Sequence, residues 1–164
     1  MPQAPYGHPF ILSNTLSLKT KAMITYNSIG IQLPSLDHQA TTEWIGRVAA
    51  SYGKRVGDIN YIFVNDEEIL RINRQFIGHD YYTDHIGFDY SQGSIIAGDT
   101  YISLDTVASN AELFGTDYTH ELHRVVIHSI LHLCGIDDKT PEERAVMENA
   151  ENRALAELGS MHTK

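Results

Sequence analysis

Cysteine is almost missing from this sequence. Cys134 is the only one among 164 residues, so no internal disulfide can form and a reducing compartment is expected. Long hydrophobic runs are missing too. Nothing approaches the roughly 20 consecutive apolar residues that span a bilayer. Phe10-Ile11-Leu12 is too short for a signal-peptide core. Positive charge is scarce: 12 Lys and Arg face 21 Asp and Glu, a net charge of -9. That balance argues against a protein that coats nucleic acid through bulk charge, though it leaves room for a local basic groove. Lys54-Arg55 and Arg71/Arg74 are close basic pairs, and such pairs are more often solvated surface. An acidic protein acting on RNA must meet phosphate with these few cations and a metal.

Composition is otherwise that of one soluble domain, with 42% hydrophobic and 20% charged residues. Residues 1–22 read as an extension, either disordered or placed before a start at Met23. Pro2, Pro5, Gly7 and Pro9 give way there to Ser13, Asn14, Thr15 and Ser17, a composition that resists packing. The domain then spans 23–164, without repeats or an inner linker. Strand patterns are expected at Ile24–Leu33, Asp58–Asn65, His85–Tyr90 and Ile95–Leu104. Helices are expected from Asp37 to Tyr52, after an Asp66 cap through Phe76, from an Asp105 cap to Phe114, from Thr119 to Cys134, and after Pro141. Gly78 to Thr83 is a polar, aromatic loop. The mix predicts an α+β single domain, a mixed sheet of about four strands covered by helices.

The informative stretch is His128 to Asp138. Leu122, Val125, Val126, Ser129 and Leu133 recur at helical spacing and form one buried face. His128 and His132 are four apart, one turn above each other and about 6 Å along the axis. Two imidazoles so placed can grip one ion. Gly135 then ends the helix, and the turn brings Asp137 or Asp138 to the same ion; the spacing favours Asp138. Alone, a helical H-x-x-x-H more often packs or caps. With the glycine and a carboxylate at these offsets, a metal site is the better reading. The pattern H-x-x-x-H-x-x-G-x-x-D matches the zinc signature H-E-x-x-H-x-x-G-x-x-H except at two places. Asp138 stands for the third His. Ser129 stands for the glutamate base of the zinc proteases, which opposes a peptidase. Cys134 reads as a small buried apolar residue.

A second cluster precedes a strand: Asn73, Phe76, Asp80, Thr83, Asp84 and His85. N-x-x-F-x-x-x-D-x-x-T-D is followed by Gly98-Asp99-x-x-Ile102-Ser103 and then by the metal motif. In that order and spacing, over about Met23 to Leu158, the chain resembles the YbeY family. These are bacterial metal-dependent, single-strand-specific endoribonucleases and ribosomal RNA maturation factors. The resemblance continues in a final helix with Met147-Glu148 and Glu151.

What the resemblance implies is specific. It predicts one zinc-like ion on His128, His132 and Asp138. The carboxylate also suits Mn²⁺ or Fe²⁺. It predicts a cytoplasmic role in 16S rRNA 3′-end maturation and ribosome quality control. The partners would be single-stranded RNA, rRNA and the small ribosomal subunit, with no membrane and no DNA. Where many members carry a basic residue in the loop, this chain has Ile77, so Arg74 or His79 is the candidate RNA contact, with His85 beside them. No catalytic base is assigned. Ser129 cannot serve, Glu121 reads as surface, and His85 and His123 are further candidates, His123 more as a packing residue. The alternatives are a non-catalytic ribosome-associated factor with a structural metal, and a metal-dependent oxygenase. The oxygenase usually brings a β-barrel, which a helical H-x-x-x-H opposes.

Overall fold

The computed structural model describes residues 22–77 and 84–162. Most of the 1–22 extension, the loop with His79, Asp80 and Thr83, and the last two residues lie outside them. The elements are β1 (Ile24–Ser28), α1 (His38–Ser51), β2 (Arg55–Val64), α2 (Asp66–Ile72), a π-helical turn (Asn73–Ile77), β3 (His85–Asp89), β4 (Ile95–Ser103), α3 (Leu104–Phe114), α4 (Tyr118–Leu133) and α5 (Pro141–His162).

The four strands run in the order β1-β2-β4-β3, with β1-β2 and β2-β4 parallel and β3-β4 antiparallel. This is the expected mixed sheet in an α+β domain. The alternating pleat of β2 sends Ile59, Tyr61 and Phe63 to the main core. They meet Trp44, Ile45 and Val48 of α1 there, with Leu122, Val125, Val126 and Ile130 of α4 and Met147, Ala150 and Ala154 of α5. A smaller cluster of Val64, Ile69, Ile72 and Ile86 gathers around α2, with Ile62, Phe88 and Tyr101 against it. Helix α4 is thus the central element of the helical layer, and its polar stripe is the part left to do chemistry.

Some boundaries differ from the expectation. β1 stops at Ser28, not Leu33, because Gly30 takes a left-handed φ of 71° and the Ser28 hydroxyl donates to Ile31 O at 2.8 Å, closing a turn. Asp37 caps α1 as expected, accepting from Ala40 N at 3.0 Å. Asp66 does not cap α2: Asn65 does, accepting from Glu68 N at 2.9 Å, while Asp66 accepts from the Ser103 and Thr106 hydroxyls. Nor does Asp105 cap α3. Ser103 is the cap, and Asp105 accepts from Asp66 N. Asp66 lies one residue, and Asp105 two residues, inside a better-placed Asn or Ser. Phe76 belongs to the π turn rather than to an apolar helix face. It is exposed and meets Phe88 edge-on.

β3 lies so close to β4 at one point that only glycine fits. A Cβ on Gly98 would sit 2.5 Å from Phe88 O and 3.5 Å from Leu133 Cδ2. We expect Gly98→Ala to cost about 1–3 kcal/mol in urea denaturation, because the strand backbone must move to admit the methyl. A change below about 0.5 kcal/mol would show that β3 yields freely.

Candidate metal centre

Helix α4 projects His128 and His132 from the same side, their rings edge to face with centroids 4.5 Å apart. The chain leaves the helix through Gly135, at φ 104°, and returns Asp138 to them. Asp138 Oδ2 lies 3.2 Å from His128 Nε2 and 3.1 Å from His132 Nε2. Asp137 is exposed and turned to another cavity, beside Gly135 and Ile136. Zinc binds imidazole and carboxylate at about 2.0–2.2 Å. Donors just over 3 Å apart therefore span one such ion with little movement, and their chemistry fits a divalent cation.

β3 adds a third imidazole. One nitrogen each of His85, His128 and His132 falls within 4.8 Å of the others, so this triad could hold a metal ion. The antiparallel pairing of β3 on β4 carries His85 there, and Asp84 Oδ1 meets its Nδ1 at 2.9 Å. His85 therefore sits among the metal candidates, nearer the ion site than its reading as an RNA contact suggested. Arg74 is exposed on the π turn and lines neither cavity beside the histidines.

A carboxylate stands behind His128. Glu151 of α5 accepts from His128 Nδ1 at 2.5 Å, and Arg124, one turn earlier on α4, donates to Glu151 at 2.7 Å and to Asn152 at 2.8 Å. An ionised carboxylate only accepts, so it fixes the proton on Nδ1 and leaves Nε2 to face Asp138. Burial pushes His128 toward neutrality, but the hydrogen bond and charge of Glu151, with Asp84 and Asp138, outweigh it and raise its pKa. His132 moves the other way: burial, then the charges on His128 and His85, lower it against the pull of Asp138. In the ion-free pair the proton resides on His128. A metal must displace it, so affinity falls as pH drops through that raised pKa.

Two residues differ from their expected settings. Glu121, read as surface, is 5% exposed, because α5 and the α3–α4 corner cover its side of α4. Burial raises its pKa, which Arg124 only partly offsets. Cys134 is half-buried rather than buried. Ser129 is committed to packing: its hydroxyl donates to Val126 O at 2.8 Å and lies 3.3 Å from the Tyr61 hydroxyl, which excludes it as a base. His123 packs edge-on against Trp44, in line with the packing reading. Glu151 was visible only as a shared helix feature. Its signal was Arg124 at i−4 from His128, which by itself names no partner.

Comparison with known proteins gives the family. A sequence model of the family described as Endoribonuclease YbeY matches residues 27–159. A Bacteroides thetaiotaomicron protein named Endoribonuclease YbeY is 61% identical over 133 residues, covering 81% of this chain and 97% of that protein. One of the same name from Porphyromonas gingivalis is 45% identical over 150 residues, 87% of this chain and 99% of that protein. The solution structure of a Thermotoga maritima protein shares the fold, with a TM-score of 0.60 and 27% identity over 86% of this chain and 93% of that one.

Proposed function

Because the chain belongs to the YbeY endoribonuclease family, we propose that it is a metal-dependent endoribonuclease that cuts single-stranded RNA, with one divalent ion on His128, His132 and Asp138. The observation that carries this is the meeting of both helix imidazoles with one oxygen of Asp138. Residues 23–164 form the catalytic domain, and 1–22 are an appendage to it. Its work is 16S rRNA 3′-end maturation and ribosome quality control on the small subunit, in the cytoplasm. In keeping with that, no helix among the described residues is long and apolar enough to cross a membrane.

A bound Zn²⁺, or Mn²⁺ or Fe²⁺ in its place, would supply Lewis acidity toward the scissile phosphate and activate water near neutral pH. The chain's own residues do the rest. Glu151 and Arg124 hold His128 in one tautomer and orientation. Asp84 holds His85 at the strand side. The buried Thr100 and Ser129 line the cavity on the strand side, beside His85 and His132. The RNA contact sought in Arg74 or His79 would come from the π turn and the loop after it.

The closeness of His85 lends weight to a second reading. A fourth protein donor closes the coordination, as in a structural metal site of a non-catalytic ribosome-associated factor. The oxygenase has no such support, since the described strands form an open sheet rather than a barrel. Purified protein with labelled single-stranded and duplex RNA of one sequence decides between the first two. Chelator-sensitive cutting of the single strand alone is expected. Bound metal with no cutting would favour the structural site.

The Glu151 contact makes a separate prediction. Removing a carboxylate behind a ligating imidazole typically costs 10–100-fold in metal affinity. Glu151→Ala should weaken metal binding by about that factor in a chelator competition, with Glu151→Gln in between because its amide oxygen still accepts. Equal affinity in all three proteins would reduce the contact to a salt bridge of the apo form.

A further inference from the structure

A cavity of about 460 Å³ opens beside the metal candidates, between α4, α5 and the α3–α4 corner. That volume is in the range of small-ligand sites. His128 and Asp138 border one end, Glu121 the other, and Phe114, Met147 and Arg144 contribute the remaining wall. Of the cavity's carboxylates, Glu151 is bound to His128 and Arg124, and Glu148 is exposed. Glu121 differs from both. It is 5% exposed, and its side chain makes no hydrogen bond among the described residues. Among the described residues no fully enclosed polar side-chain atom is left without a partner, so the Glu121 oxygens reach the cavity.

A carboxylate that opens on a cavity without a protein hydrogen-bond donor keeps its acceptor capacity for whatever enters that cavity. Distance shows what. Glu121 and His128 are seven residues apart on one helix, about 10 Å along its axis. The Glu121 side chain also leans toward the helix start, away from the histidines. A general base must come within about 3 Å of the proton it takes. Glu121 is therefore too far to act on the group attacking at the metal centre. The separation instead resembles the reach of a nucleotide from its phosphate to the pairing edge of its base.

We propose that this cavity takes one nucleotide of the RNA strand, with its phosphate at the metal end and its base at Glu121, and that Glu121 selects guanine. The inference rests on the endoribonuclease reading. An ionised carboxylate accepts hydrogen bonds and donates none. Guanine is the base whose pairing edge offers two adjacent N–H donors, N1–H and the 2-amino group, to a two-oxygen fork. Adenine, cytosine and uracil each place an acceptor beside their donor. Phe114, largely exposed, supplies apolar surface for the base plane, as single-strand binders do with aromatic side chains. Arg144, exposed on the cavity wall, donates to Lys139 O at 2.8 Å.

The test is calorimetric titration of the purified full chain with GMP, AMP, CMP, UMP and inosine monophosphate. A bidentate contact of this kind discriminates on the order of ten- to a hundredfold. We expect GMP to bind at least about tenfold tighter than AMP, and inosine monophosphate, which lacks the 2-amino group, to fall between them. The isosteric Glu121→Gln should erase most of the GMP preference, and Phe114→Ala should weaken all nucleotides alike. Equal binding of the four nucleotides, no binding, or a preference that survives Glu121→Gln would overturn the proposal. The titration reads the pocket without reading cleavage. A GMP preference in a protein that cuts no RNA supports the pocket and sinks the endoribonuclease reading. RNA cutting with no nucleotide preference does the reverse.

Discussion

Replacing His132 with alanine is expected to abolish tight metal binding and RNA cleavage together. His132 supplies one of the two helix imidazoles, and its Nε2 lies 3.1 Å from Asp138 Oδ2. Its loss leaves His128 and Asp138 as a pair that no longer encloses an ion, with His85 as the remaining neighbour. Loss of one ligand of three should weaken the site by about a thousandfold or more, roughly 4 kcal/mol. The fold should survive, because His132 is only half-buried and the apolar face of α4 is carried by Leu122, Val125, Val126 and Ile130. Metal analysis of wild type and variant, with circular dichroism as the folding control, checks this. A variant that keeps one equivalent of metal would mean that His85 takes over beside His128 and Asp138, and that the site does not need His132. A wild type purified without chelators that carries no metal would return the helix histidines to packing roles.

The largest effect on stability is expected at Trp44. It is fully buried between α1, α4 and α5, packs edge-on against His123, and donates from Nε1 to Ala154 O at 2.8 Å. Trp44→Ala should cost about 3–5 kcal/mol from the cavity and the lost burial. At this chain length that lowers the melting temperature by roughly 10–15 °C. Ala154 is less than one turn after Glu151 on α5, so the same tie seats the carboxylate behind His128. Trp44→Phe should recover most of the packing but leave the Ala154 carbonyl without its donor. A melting point within a few degrees of wild type for Trp44→Ala would show that α5 is held from elsewhere.

Local pattern carried much of this protein. The apolar stripe of α4 and the offsets of His128, His132, Gly135 and Asp138 all lie within 17 residues, Leu122 to Asp138, so helix and turn geometry connect them directly. The four strands and the positions of the helices followed from period-2 and helical spacing for the same reason. What escaped depends on contacts between distant segments. Glu121 looked like surface because glutamate is mostly exposed, and only the packing of α5 and the α3–α4 corner buries it. Glu151 meets His128 across 23 positions. His85 reaches the cluster because β3 turns back antiparallel on β4, which no spacing rule announces. The cap errors at Asp66 and Asp105 have a smaller cause. Asn, Ser and Asp compete for the same role, and backbone geometry picks one.

The strand order also bears on how the chain reaches this state. Pairing β1 with β2 closes a loop of 35 positions, and pairing β2 with β4 one of 39, as the Thr25–Asn60 and Asn60–Asp99 contacts record. Only β3 and β4 are joined as a hairpin among the described strands, from Asp89 to Ile95. Short closures are entropically cheapest and local contacts form first. The ribbon carrying His85 and Gly98 is therefore the natural early structure, onto which β2, then β1 and the helices, assemble. Each half of the metal site, the β3–β4 ribbon with His85 and the α4 turn with His128 and Asp138, is local in sequence, so an ion can meet its full set of donors only once the two have docked.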